Sequence, residues 1–192
     1  MFYLLSWGRF DESLAALERA LELDPLSLII NTTRGYVLLL ARRYAEALTQ
    51  LRKARELEPA FFGSLEYLAL AYEQTGQYEA ALSAQQQLLT AFANDPATAQ
   101  ALQAAYETAG VTGYWRKRLE IVQTQAQNRY VYPHRFAELH ARLGEHEQAL
   151  HWLEKACDER SARIIWLGVN PIFDALRNEA RFNALLRRMG LG

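Results

Sequence analysis

Residues 8–25, GRFDESLAALERALELDP, are closely matched by residues 42–59, RRYAEALTQLRKARELEP. Each of the two stretches ends on a proline, Pro25 in the first and Pro59 in the second. The two prolines are 34 residues apart, and the same spacing separates a series of turn positions along the chain, namely Gly8, Arg42, Gly76, Gly110 and Gly144. A fixed period of about 34 residues is typical of proteins that stack short repeated units. We therefore interpret the chain as a repeat protein.

Each unit has the pattern of two helices joined by a short turn. A glycine at the turn can adopt a positive φ and end the first helix without a steric clash. Leucines such as Leu48 and Leu51 then recur at helical spacing and form one apolar face. Small residues such as Ala47 and Ala54 allow a second helix to approach closely. The pattern predicts an all-α protein built from helix hairpins.

This pattern resembles the tetratricopeptide repeat (TPR), a helix–turn–helix unit with the same period. The resemblance covers residues 1–160 and implies an α-solenoid, in which TPR hairpins form a right-handed superhelix and their first helices line a concave groove. Two units depart from the pattern. The first is truncated, because only FYLLSW stands before its turn. The fourth has Trp115 in a small-residue position and Arg116 in place of leucine, so we expect its second helix to pack differently.

The period stops after Ser161, and residues 161–192 are predicted to form helices that cap the array. Pro171 is expected to start a short helix, Asn178 to cap a second helix and Gly190 to end it. The stretch NPIFDALRNEARFNALLRRMG also resembles the tail of TPR modules in bacterial signalling proteins. That resemblance implies an alternative function, as the regulatory or ligand-sensing domain of a larger protein with a winged-helix, nucleotide cyclase or Ser/Thr kinase domain.

Composition and charge favour a soluble, cytoplasmic protein. The net charge is −1, with 21 basic and 22 acidic residues, so no global field draws the chain to nucleic acid or to an anionic membrane. From Arg160 onward there are six arginines and two acidic residues, an excess that a charged cap explains. The apolar start of the chain lacks the basic region of a secretion signal. We expect direct binding neither to nucleic acid nor to membranes.

The residue types that most often catalyse reactions or bind metals do not occur here in the patterns that such sites need. The four histidines, His134, His140, His146 and His151, do not have the H-E-x-x-H spacing of a helical zinc site. Cys157 follows a small apolar residue in a predicted helix and suits packing better than nucleophilic attack. Phosphate-binding and dinucleotide-binding motifs are absent from the sequence. We therefore expect no enzyme activity, no metal and no cofactor.

By the resemblance, function lies on the first helices, which would bind a protein or peptide partner in the groove. The three central helices lack the Lys, Arg and Asn residues with which TPR domains hold a terminal carboxylate. Glutamates beside apolar residues suggest a basic amphipathic partner, although glutamate is also simply a good helix former on a wet face. The predicted groove residues are Tyr36, Leu39, Glu66, Leu70, Glu73, Gln100, Glu107, His134, Glu138 and Arg142.

The truncated first unit raises a further expectation. Its second helix would lack a full partner helix, which would leave Leu14, Leu17 and Leu21 poorly covered. We therefore expect either that the chain is cut from a longer one or that this face is covered by self-association.

Overall fold

The computed structural model of the chain describes residues 2–59, 61–91 and 95–191. These residues form α-helices and two short 3₁₀ segments, and none of them lies in a β-strand. The all-α prediction is confirmed. The chain divides into two compact units, Met1–Gln100 (unit 1) and Ala101–Gly192 (unit 2). This division is not at residue 160, where the sequence separates the repeats from the cap.

Unit 1 consists of helix hairpins in the predicted register. Its helices are α1 (Phe2–Ser6), α2 (Phe10–Leu23), α3 (Leu28–Leu40), α4 (Tyr44–Leu57), α5 (Phe62–Gln74) and α6 (Tyr78–Ala91). Within the hairpins, α3 packs on α4 and α5 packs on α6. Between hairpins, α3 contacts both α2 and α5, and α4 contacts α5. Leu51 and Leu68 are almost fully buried between these helices, at 0% and 1% exposure.

Unit 2 contains the fifth hairpin and the C-terminal segment. The helix α7 (Pro96–Asn128) begins in unit 1 and continues in unit 2. The following elements are α8 (Pro133–Arg142), α9 (His146–Asp158), the 3₁₀ segments Ala162–Trp166 and Pro171–Leu176, and α10 (Ala180–Arg188). The helices α8 and α9 form the hairpin, and α10 packs on α9.

The five predicted turn positions all have a positive φ, so this prediction is confirmed. The values are 70° at Gly8, 61° at Arg42, 71° at Gly76, 62° at Gly110 and 72° at Gly144. Four of these turns share one pair of backbone hydrogen bonds. At Gly144, for example, its N–H donates to Ala141 O (3.1 Å) and the next N–H, of Glu145, donates to His140 O (2.9 Å). This pair satisfies carbonyls that the end of a helix would otherwise leave without donors.

The turn of the fourth unit is built differently. Gly110 has ψ −155° and Ala109 has φ −138°, and together they form a kink inside α7. A positive φ combined with an extended ψ is a conformation that essentially only glycine adopts. Three residues later, a Cβ atom on Gly113 would lie 2.5 Å from the Ala105 carbonyl oxygen. Two glycines therefore allow the two halves of α7 to meet at close range.

The C-terminal segment covers the apolar face of α9. Phe182 and Leu176 are both 0% exposed and belong to one buried cluster with Leu150 and Leu153 of α9. The 3₁₀ segment does begin at Pro171, and Gly190 (φ 69°) does follow the end of α10. The prediction that Asn178 caps the last helix is wrong. The N-cap residue of α10 is Glu179, which makes no side-chain cap, because the helix begins two residues after Asn178.

The apolar face of α2, in the first unit, is more deeply buried than expected. The first helix of this unit is the short α1, which supplies Leu5 at 0% exposure. Leu17 on α2 is 4% exposed, so the expectation that it is poorly covered is wrong. Leu14 and Leu21 are half-buried. The helix α2 packs on α3 as well as on α1, so the short first helix is not its only cover.

Candidate functional site

The histidines have separate local partners and do not converge. The pairs are His134 with Ser161 (2.8 Å), His140 with Glu145 (2.6 Å) and His146 with Glu179 (3.9 Å). In the described part of the chain, no three His, Cys, Asp or Glu side chains lie together in a way that suits a metal ion. Nor does any helix in the described ranges have the length and apolar character needed to cross a membrane.

A stacked pair of tyrosines joins the first helices of two neighbouring hairpins in unit 1. Tyr36 on α3 and Tyr67 on α5 have ring centroids 4.2 Å apart and planes inclined by 18°. Both side chains are half-buried, so part of each remains accessible. Aromatic pairs stabilise by about 0.5–1.5 kcal/mol beyond the burial of their area. The pair therefore places two partly exposed aromatic side chains on neighbouring first helices.

Acidic residues stand on the same helix as Tyr67, α5. Glu66, Leu70 and Glu73 are spaced four and three residues apart, which places them on one side of the helix. All three are half-buried. We call the set Tyr36, Tyr67, Glu66, Leu70 and Glu73 the α3/α5 face. Tyr67 was not predicted, although an aromatic residue on each of two adjacent first helices is a usable signal in the sequence.

Leu39 does not belong to this face, and its predicted place in a groove is wrong. Its side chain is 0% exposed, as are those of Val37, Leu38 and Leu40. The reason is that α3 has neighbours on three sides, namely α2, α4 and α5. Leu39 is therefore a core residue and has no surface to offer a partner. Gln100, by contrast, is exposed in the first turns of α7.

The other predicted residues lie in unit 2. Glu107 is exposed and accepts a hydrogen bond from Gln103 (2.7 Å). Glu138 and Arg142 are half-buried on α8 and form a long ion pair of 4.0 Å. The Arg142 guanidinium also lies 4.6 Å from the centroid of the Trp115 ring. Trp115, the large residue that departs from the repeat pattern, is thus a buried ring beneath an arginine of the next helix.

His134 stands between aromatic and cationic neighbours at the start of α8. Its ring stacks on Tyr132, with centroids 5.6 Å apart. Desolvation, with the positive charges of Arg163 and Arg135, lowers the pKa of His134 to about 4. The imidazole is therefore neutral at pH 7. Nearby, the hydrogen bond to Glu159 raises the pKa of Tyr130 to about 12, so this phenol stays protonated.

Comparison with known families identifies the repeated unit. A tetratricopeptide repeat model matches residues 3–60 and, in a second alignment, residues 32–96. The second match begins nearly one repeat after the first, as expected for an array of repeated units. No curated protein matches the chain.

Proposed function

Because this chain belongs to the tetratricopeptide repeat family over residues 3–96, we propose that it is a non-catalytic module that binds a protein segment on the α3/α5 face. Repeats of this family generally mediate protein–protein interaction. The observation that carries the proposal is the Tyr36–Tyr67 stack, which keeps two aromatic rings at the surface of two adjacent first helices. Rigid aromatic residues are the usual anchors of protein interfaces.

The chemistry of the face favours a basic amphipathic helix as the bound segment. The two rings and Leu70 offer apolar contact, and Glu66 and Glu73 lie on either side of Leu70 along α5. A helical ligand would place apolar side chains on the rings and lysine or arginine side chains toward the carboxylates. Apolar contact would supply most of the affinity, whereas the charges would fix the orientation and speed the association.

The test is a titration of the full chain with a fluorescein-labelled basic amphipathic peptide, followed by fluorescence anisotropy. The double substitution Glu66→Lys/Glu73→Lys is expected to weaken binding about tenfold or more, because each reversal turns an attraction into a repulsion. The matched control is Glu22→Lys/Glu79→Lys, which changes the net charge equally at exposed positions on α2 and α6. Equal losses in the two variants, or none in the first, would count against the proposal.

The remaining predicted residues are not needed for this proposal. Gln100, Glu107, His134, Glu138 and Arg142 stay a prediction as partner-binding residues, as does self-association through the N-terminal end. The location in the cytoplasm also stays a prediction.

A second candidate function is that of a regulatory or ligand-sensing module in a bacterial signalling protein. It rests on the resemblance of the stretch NPIFDALRNEARFNALLRRMG to the tail of such modules. The residues of this stretch that cover α9 supply an apolar layer, as any cap would, so packing alone does not favour this function over the first. Sequencing the coding region upstream of Met1 tests it, since a signalling domain in the same reading frame is the expected result.

A further inference from the structure

Four arginines from three separate segments of unit 2 converge on the start of α8, where the positive charges of Arg118, Arg163 and Arg129 all act on Arg135. Arg118 lies in the second half of α7, and Arg129 directly follows that helix. Arg135 lies on α8, and Arg163 lies in the first 3₁₀ segment. We call these four residues the arginine cluster. They are far apart in sequence, and no repeat position predicts their convergence.

Side-chain contacts hold the three segments around α8. On one side, two guanidinium groups lie near the Trp115 ring, that of Arg142 on α8 at 4.6 Å and that of Arg118 at 5.7 Å from its centroid. On the other side, His134 Nδ1 lies 2.8 Å from the hydroxyl of the buried Ser161, two residues before Arg163. These contacts tie the segments that carry Arg118 and Arg163 to α8, which carries Arg135.

Two members of the cluster have no ion-pair partner among the described residues. In the part of unit 2 that the structure describes, Arg129 and Arg135 form neither an ion pair nor a side-chain hydrogen bond. Both are exposed. The carboxylates nearby are engaged elsewhere, Glu138 with Arg142 (4.0 Å) and Glu159 with the Tyr130 hydroxyl (2.5 Å). Two exposed guanidinium groups are therefore available to an anionic ligand.

The electrostatics of Arg135 agree with this geometry. Partial desolvation and the positive charge of Arg118 lower the pKa of its guanidinium, with smaller contributions from Arg163 and Arg129. The Glu138 carboxylate acts in the opposite direction. Like charges held together repel, and a bound carboxylate would relieve that repulsion while accepting paired hydrogen bonds from a guanidinium fork.

From the cluster we infer a second protein-binding surface, which takes an acidic peptide segment rich in Glu or Asp. Carboxylates of the segment pair with Arg129 and Arg135, and an apolar residue between them packs on the exposed ring of Tyr132. A nucleic acid fits less well, because Glu138 and Glu159 interrupt the positive surface and the net charge of −1 provides no long-range attraction for a polyanion. The surface is distinct from the α3/α5 face in the sign of its charge.

The experiment is an anisotropy titration of the full chain with a labelled, end-capped peptide of eight glutamates. We expect binding that Arg129→Gln/Arg135→Gln weakens about fivefold or more. The control Arg19→Gln/Lys53→Gln removes the same charge from exposed residues of unit 1 and should leave the affinity within about twofold. Arg135→Lys, which keeps the charge but loses the fork, should give an intermediate loss, and this variant decides the matter if the double variant does not fold.

Three results would overturn the inference. The first is that the glutamate peptide does not bind. The second is an equal loss in the control and in the cluster variant, since binding would then follow net charge alone. The third is tighter binding of a thymine oligonucleotide that depends on Arg135, which would identify the surface as a nucleic-acid site. None of these results bears on the α3/α5 face, whose test uses a basic peptide and substitutions in unit 1.

Discussion

Phe182→Ala is expected to lower the free energy of unfolding by about 3–5 kcal/mol. Phe182 is 0% exposed and lies in the cluster that joins α10 to α9, with the Phe173 ring centroid 6.4 Å away. Removing the ring withdraws buried apolar area and leaves a cavity that the surrounding leucines fill only in part. The exposed ion pairs between the cap and α9, such as Arg181 with Glu147 (2.7 Å), stabilise far less.

Urea unfolding followed by tryptophan fluorescence measures this effect, because Trp152 packs against the same cluster. Arg187→Ala is the control, since Arg187 is exposed on the same helix and its loss should change the free energy of unfolding by about 0.5 kcal/mol or less. A loss below about 1 kcal/mol for Phe182→Ala would mean that the C-terminal segment does not stabilise the last hairpin.

Gly113→Ala is expected to destabilise the chain by about 1–3 kcal/mol. This is the reverse of the usual result, since alanine inside a helix is normally favoured over glycine by about 1 kcal/mol. At Gly113, however, the new Cβ would lie 2.5 Å from the Ala105 carbonyl oxygen and 2.7 Å from the Ala109 Cβ. Since these atoms belong to or adjoin the backbone of the kink, they cannot turn aside as a flexible side chain would.

Gly63→Ala is the matched control for this prediction. Gly63 is also a helical glycine, in α5, but its closest neighbour would be the Phe61 ring at 3.2 Å. A side chain can move by a few tenths of an ångström, so this substitution should change stability by less than about 1 kcal/mol. Thermal unfolding by circular dichroism compares the two variants. If Gly113→Ala were as stable as Gly63→Ala, the close approach of the two halves of α7 would be absent from the protein.

The sequence predicts the hairpins well because each turn is a local structure. A residue with positive φ recurs at all five positions that the repeat period predicts, and the same pair of backbone hydrogen bonds forms at four of them, including Arg42. The failures concern what a residue meets from elsewhere in the chain. Leu39 has the position of a groove residue, yet the neighbours of α3 bury it completely.

The candidate surfaces were harder to predict for the same reason. The Tyr36–Tyr67 stack joins two hairpins, and the Trp115–Arg142 contact joins α7 to α8, so neither is visible within one repeat. Residue type indicates Tyr36 in the first pair and both Trp115 and Arg142 in the second, but it does not indicate that the last two meet. The partner of each depends on the packing of one helix against the next.

The most direct test of the central claim is an amide NMR titration of the full chain with the basic amphipathic peptide. If the α3/α5 face binds a protein segment, the largest chemical-shift changes will fall on α3 and α5, around Tyr36, Tyr67 and Leu70. They will shrink in the Glu66→Lys/Glu73→Lys variant. If the largest changes fall instead on α2 or in unit 2, or are unaffected by the double substitution, the α3/α5 face is not the binding surface.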